Sequence, residues 1–341
     1  MDARLATGGT RARRAGAGGR RSGLYGALDL GTNNCRLLIA APGPGGFEVV
    51  DAFSRIVRLG EGLSVSGRLG EEAMRRTVQA LRVCANKLAW SKVERRRLVA
   101  TEACRAAVNG AEFLRTVKEE TGLELEVIPR ETEASLAATG AAPLMDDLAD
   151  SALVFDIGGG STELMWVDRA SERILAWTSL AAGVVSVSER FGGIEVTPEH
   201  YAAMREHIRP LLHQFADDVR IATDGDGRPG HLLGTSGTVT TIAGVQLGLR
   251  RYDRSRVDGC WLEASAIAEV TGKLLAMSYD ERVANPCIGR DRADLVLAGC
   301  AILEEIRDTF PSPRIRVADR GLREGILTLL MKEDGLWGMA S

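Results

Sequence analysis

One short pattern occurs twice, once in each half of the chain, and it constrains the fold more than any other feature. Residues 25–30 form an apolar run broken by Asp29, which gives way to Gly31-Thr32-Asn33-Asn34 and then to a second apolar run from Cys35. Residues 152–157 repeat the design: Asp156 stands near the end of the run, Gly158-Gly159-Gly160-Ser161 follow, and an apolar stretch resumes at Thr162. Apolar runs ended by glycine and hydroxyl residues read as strand–turn–strand hairpins. Two copies imply two domains of one topology facing each other, and 341 residues suit two domains by length.

The remaining pattern fills in an α/β chain. Glycine and proline at 43–46 mark a turn before a third strand near 47–53, so the first half opens as an antiparallel meander. Met74, Val78, Leu81, Ala85 and Leu88 recur at helical steps. A short buried strand is expected at 98–101, a helix from 111 to the C′ glycine Gly122, a half-exposed strand at 123–128 and a helix near Glu131. In the second half Thr197-Pro198 opens a helix as N-cap and N1 residues. Leu232-Leu233 leads into Gly234-Thr235-Ser236-Gly237-Thr238 and a further helix. Helices at 262–277 and 295–306, a strand at 315–318 and a last helix at 322–331 complete the reading. The expected domains are 24–137 and 138–321, with a C-terminal helix at about 322–341 packing back on the first.

Several function classes fall away. Lys plus Arg is 43 against 46 for Asp plus Glu, a net charge of −3, which argues against a nucleic-acid coat or a polybasic membrane binder. No apolar run approaches the ~18 residues of a membrane span. The cysteines Cys35, Cys84, Cys104, Cys260, Cys287 and Cys300 form no C-x-x-C pair, and the four histidines have no metal-pair spacing, so a zinc enzyme is not expected. Scattered cysteines without a secretory signal point to the cytoplasm. Residues 1–23 carry six arginines, six glycines and a single acid, Asp2, and are expected to be a disordered basic tail. Arg13-Arg14 and Arg20-Arg21 are not followed by the apolar stretch of a twin-arginine signal. Arg95-Arg96-Arg97 reads as a solvated helix end, or less readily as part of a polyanion track.

The chemistry is expected at the two turns. Glycine turns let backbone N–H groups approach an anion, and Ser or Thr hydroxyls add donors. The first turn offers Gly31, Thr32, Asn33 and Asn34; the second offers Gly158, Gly159, Gly160, Ser161 and Thr162. A plain tight turn explains one such loop, but two copies, each preceded by an Asp, favour a clamp on adjacent phosphates. The P-loop signature G-x-x-x-x-G-K-[ST] is missing from the sequence. Asp29 and Asp156 stand where a phosphate-bound cation would lie, and Mg²⁺ takes carboxylate, water and phosphate oxygens. Asp156 with Glu163 is expected to hold it; Asp29 serves equally well as an acceptor for its own turn.

The strings from Ala27 to Ile39, Ala100-Thr-Glu-Ala-Cys-Arg105, Glu133-Ala134, Asp156-Ile-Gly-Gly-Gly-Ser-Thr-Glu-Leu164, Gly234-Thr-Ser-Gly-Thr238 and Asp319-Arg-Gly-Leu-Arg-Glu-Gly325, in this order, resemble the exopolyphosphatase/guanosine pentaphosphate phosphohydrolase family. The resemblance implies two actin-like domains around a cleft and hydrolysis of terminal phosphates from inorganic polyphosphate or pppGpp. It implies Glu133 as general base, Arg105 as a phosphate contact, Arg36 and Arg292 as substrate-side basic residues, and Gly234, Thr235 and Ser236 in a further phosphate-side loop. It also implies Mg²⁺, or Mn²⁺, and leaves open a homodimer. The sequence runs out too soon after residue 330 for the C-terminal HD-related domain of long members, so a short two-domain form is expected. The chief rival from another class is an actin-like ATP-binding kinase or scaffold module.

Overall fold

A computed structural model describes residues 23–225 and 227–337; the expected basic tail lies outside the described residues except for Gly23. The first half runs β1 (Tyr25–Leu30), β2 (Asn34–Gly43), β3 (Gly46–Ile56), α1 (Leu63–Ser66), α2 (Glu71–Trp90), β4 (Arg95–Ala100), α3 (Glu102–Ala106), α4 (Gly110–Thr121), β5 (Glu126–Val127) and α5 (Arg130–Ala141). The second runs β6 (Ser151–Ile157), β7 (Thr162–Asp168), β8 (Arg173–Leu180), α6 (Val184–Phe191), α7 (Pro198–Thr223), β9 (His231–Thr235), α8 (Gly237–Gln246), α9 (Arg254–Val257), β10 (Trp261–Glu263), α10 (Ala264–Ala276), α11 (Tyr279–Ala284), α12 (Val296–Thr309), β11 (Arg314–Ala318) and α13 (Leu322–Glu333).

The strands form two sheets, ordered β3-β2-β1-β4-β5 and β8-β7-β6-β9-β11-β10. In each, an antiparallel three-stranded meander is extended by parallel strands, with β10 added antiparallel at the edge of the second sheet, so β6 answers to β1, β7 to β2 and β9 to β4. The repeat read from the sequence is thus a repeat of topology, and the two halves make an α/β fold of two mixed sheets. The two turns also match at atomic level. Gly31 N donates to Asn34 O and Gly158 N to Ser161 O, each at 2.9 Å.

Two helices are exchanged between the halves. α13 leaves the second sheet and buries Leu322, Ile326, Leu327 and Met331 against Tyr25, Ala27 and Leu38 of the first. α5 leaves the first sheet and buries Ala134, Ala137, Ala138 and Ala141 against Ala152, Val154 and Met165 of the second. Where α5 and α13 cross, their backbones touch. A Cβ on Gly140 would lie 1.9 Å from Gly321 O, and one on Gly325 would lie 2.0 Å from Leu136 O. α2 and α4 close the outer face of the first sheet, and α7, α8, α10 and α12 that of the second.

Arg95, Arg96 and Arg97 are strand residues of β4, not a helix end. α2 stops at Trp90, and the side chains of Arg95 and Arg97 reach Glu333 and Glu126. The strand expected at 123–128 is reduced to Glu126–Val127, and Trp261–Glu263 is an edge strand before α10.

Candidate active site

The two hairpins meet across the gap between the sheets. Gly159 is tightly packed, since its Cβ would lie 3.1 Å from Asn33 N, and a Cβ on Gly160 would lie 2.8 Å from Thr32 Oγ1. Gly183 is packed as closely, with its Cβ position 2.4 Å from Gly159 O. At Gly183 glycine is required because the start of α6 meets the second loop backbone to backbone.

Between them lies a cavity of about 120 Å³. Gly31, Thr32, Asn33 and Asn34 form one wall and Gly158, Gly159, Gly160 and Ser161 the facing wall. Asp29, Asp156 and Glu163 contribute carboxylates, and Ser236 and Arg292 come from the second half. Asn33 Oδ1 is buried and has no hydrogen-bond partner, a vacancy in polar pairing that a ligand can fill. The cavity adjoins a wider compartment of about 440 Å³, whose walls include Arg36, Thr235, Arg292, Arg320 and Arg323.

The hairpin register explains the uneven charge. Asp29 pairs across its hairpin with Arg36, whereas Asp156 pairs with Glu163. The same topological place thus holds a cation in one half and an acid in the other. Burial, then the charges of Glu163 and Asp29, push the Asp156 carboxyl up to about 7, with Arg36 opposing. Burial raises Glu163 despite hydrogen bonds from Ser161 and Ser179 at 2.7 and 2.8 Å. Burial also raises Asp29, against Arg36 and Arg323.

Glu133 lies in the first turn of α5, carried to the cleft by the exchange of that helix. Its side chain is 14% exposed and receives Arg105 Nη2 at 3.1 Å. Burial, then Glu163 and Asp29, push it up to about 9, with Arg105 pulling it down. Arg105 itself is committed. It donates to Glu102 through Nε and Nη2 and to the Ile128 carbonyl at 2.7 Å. Glu102, on the cavity wall, also receives Arg130 at 2.8 Å. Burial opposes its ionisation, but the bonds from Arg130 and Arg105 outweigh that and hold it below the usual carboxylate range.

Three expected phosphate contacts are absent from the walls of both compartments. Arg105 sits behind Glu133, its guanidinium held by Glu102, Glu133 and Ile128. Thr162 is fully buried and its hydroxyl donates to Ala182 O at 2.6 Å. Gly234 packs inside the second sheet, where a Cβ would lie 2.6 Å from Phe155 Cζ. Conversely, Glu102 and Arg323 line the two compartments and Arg130 braces Glu102, but none was assigned a role from sequence. Extending the repeat by one strand would have pointed to Glu102, because it stands two residues past β4 just as the cavity-lining Gly237 stands two residues past β9.

Glu163 and Asp29 raise both Asp156 and Glu133, a crowding of buried carboxyls that calls for positive charge, and their oxygen donors suit a hard cation. Among the described residues no three His, Cys, Asp or Glu side chains converge closely enough to cage an ion alone. These carboxylates could hold a hard cation only together with water or a phosphate ligand.

The model of the Ppx/GppA phosphatase family matches residues 38–334. Exopolyphosphatase 2 of Mycobacterium tuberculosis is 30% identical over 314 residues, spanning 88% of this chain and 96% of that protein. The crystal structure of the Aquifex aeolicus Ppx/GppA family member superposes with a TM-score of 0.76 at 29% identity, over 91% of this chain and 98% of that one. An exopolyphosphatase from Cytophaga hutchinsonii superposes with a TM-score of 0.82 at 25% identity, over 92% and 98%.

Proposed function

The chain belongs to the Ppx/GppA phosphatase family, and from that premise we propose that it hydrolyses the terminal phosphoanhydride of inorganic polyphosphate, releasing orthophosphate. The observation that carries this reading is the Glu133 carboxylate, gripped by Arg105 and facing the twin glycine loops across one small cavity.

The terminal phosphate sits between the loops, where backbone N–H groups and the hydroxyl of Thr32 meet its oxygens, while the Ser161 hydroxyl stays on Glu163. Arg36 and Arg292 face the next phosphates, with Arg323 and Arg320 continuing the basic lining. Glu133 takes a proton from a water aligned with the terminal phosphorus. The new P–O bond forms on that water oxygen as the bridging P–O bond breaks, and the shortened chain leaves as an oxyanion facing the arginines. Arg105 orients Glu133 and opposes the rise of its pKa, a bound cation would lower it further and free the carboxylate to accept the proton, and Glu102 with Arg130 keeps Arg105 in place. Asp156 and Glu163, with Asp29 near them, would hold Mg²⁺ or Mn²⁺, which when bound supplies charge to the phosphate oxygens and offsets the crowded carboxylates. Positioning and electrostatics are most of what phosphoryl transfer requires. All six cysteines are free thiols, as a reducing cytoplasm would keep them. Among the described residues no helix is long and apolar enough to cross a membrane.

A substrate panel tests the reading: long and short polyphosphate, pppGpp and ATP, each with and without Mg²⁺. Metal-dependent orthophosphate release from polyphosphate without any acceptor is expected. Preferential turnover of pppGpp would move the assignment within the family; tight ATP binding with no release from polyphosphate would replace it with a nucleotide-binding module.

A further inference from the structure

A second set of contacts crosses the cleft at its rim and takes no part in the chemistry above. Arg58, in the loop after β3, sends its guanidinium into the second half. Nη1 and Nη2 meet the two carboxylate oxygens of Asp294 at 2.9 and 2.8 Å, and Nη2 also reaches Asp291 O at 3.2 Å. Both side chains are mostly shielded, at 28% and 20% exposure. Arg58 holds a left-handed backbone, φ 48°, which a non-glycine residue adopts at a cost.

Each end of this ion pair is tied to a phosphate-binding surface. On the first side, the amides of Val57 and Arg58 donate to Asn33 O at 2.9 and 3.1 Å, and Gly60 N donates to Thr32 O at 2.9 Å. The segment bearing Arg58 thus holds the carbonyls of the first glycine loop. On the second side, Asp294 lies two residues from Arg292 and one from Leu295, which both line the cavity. Its own carbonyl accepts from Ser188 Oγ at 2.6 Å, fixing it to α6 behind the second glycine loop. A companion contact lies alongside: Glu189 accepts from Gly62 N at 2.7 Å and from Ser64 Oγ.

We propose that Arg58 and Asp294 form an interdomain clamp that positions the Thr32–Asn33 loop against Arg292, so that the phosphate-binding cleft is closed before substrate arrives. They are positioning residues, since neither touches the reacting atoms. The inference rests on the phosphatase reading for its kinetic consequence. A bidentate guanidinium–carboxylate pair fixes orientation as well as distance, which a lysine cannot do. Without the clamp the closed cleft becomes a fraction of the population, and apparent affinity falls by that fraction while chemistry in the closed complex is unchanged.

The test uses Arg58→Ala, Asp294→Ala, the charge exchange Arg58→Asp with Asp294→Arg, and Arg58→Lys in case the alanine variants do not fold. In R58A and D294A the KM for polyphosphate should rise roughly tenfold or more while kcat changes less than about threefold. R58K should fall between, and the exchange pair should recover much of the loss. Independently of turnover, amide hydrogen exchange at Val57, Arg58 and Gly60 should accelerate in the single variants and slow again in the exchange pair. An unchanged KM, or an exchange pair whose defect is the sum of the two single ones, would overturn the clamp. Absence of wild-type turnover with the expected exchange pattern would instead strike the phosphatase reading and leave the clamp standing.

Discussion

Replacing Asp156 with asparagine should make the metal-free protein more stable at pH 8, although it removes a group at the centre of the site. Asp156 is half-buried on the cavity wall, and burial with Glu163 and Asp29 pushes its carboxyl from 3.8 up to about 7. That is a shift of about three pK units, or roughly 4 kcal/mol at 1.36 kcal/mol per unit. Cleft water reaches the group, so we halve this to about 2 kcal/mol. The folded pKa lies above the unfolded one, so the protein is most favoured below about pH 4 and loses this contribution as pH rises through about 7. An asparagine does not titrate. Urea unfolding of both proteins at pH 4.5 and pH 8, in chelator, isolates the effect of Asp156 and the carboxylates coupled to it, because groups far from it cancel in the difference. The stability of D156N relative to wild type should improve by about 2 kcal/mol between the two pH values. Adding Mg²⁺ at pH 8 should then stabilise wild type more than the variant. A difference that is flat with pH, or that favours wild type in chelator at pH 8, would refute the crowded-carboxylate account.

Two further outcomes follow from the same geometry. Arg105→Ala removes the cation that lowers the Glu133 pKa, so the acid limb of the kcat/KM profile should move to higher pH and kcat at neutral pH should drop roughly tenfold to a hundredfold; a pH-rate series checks both. Gly140→Ala places a Cβ 1.9 Å from Gly321 O and must pry α5 from α13, costing about 3 kcal/mol and lowering the thermal midpoint by several degrees.

The hairpins were legible in the sequence because strand, Asp, glycine turn and strand are local events, and their duplication was visible for the same reason. The exchange of α5 was not. Its alanines give it small apolar residues on several faces, so periodicity does not say which sheet it will cover. Arg95-Arg96-Arg97 misled because their acidic partners are far along the chain, at Glu333 and Glu126. Arg105 lay in a matched motif, but only tertiary structure shows that its donors are taken up by Glu102, Glu133 and a backbone carbonyl. Arg58 and Asp294 gave no signal at all, since an ion pair spanning most of the chain leaves no trace in local pattern.

The most direct measurement is turnover by Glu133→Gln, which keeps the shape of the side chain and removes its ability to accept a proton. With Mg²⁺ and short polyphosphate, the variant should bind substrate within a few-fold of wild type, while the single-turnover rate of orthophosphate release falls by about 10²–10⁴-fold. A variant that releases orthophosphate at close to the wild-type rate would contradict the role assigned to Glu133.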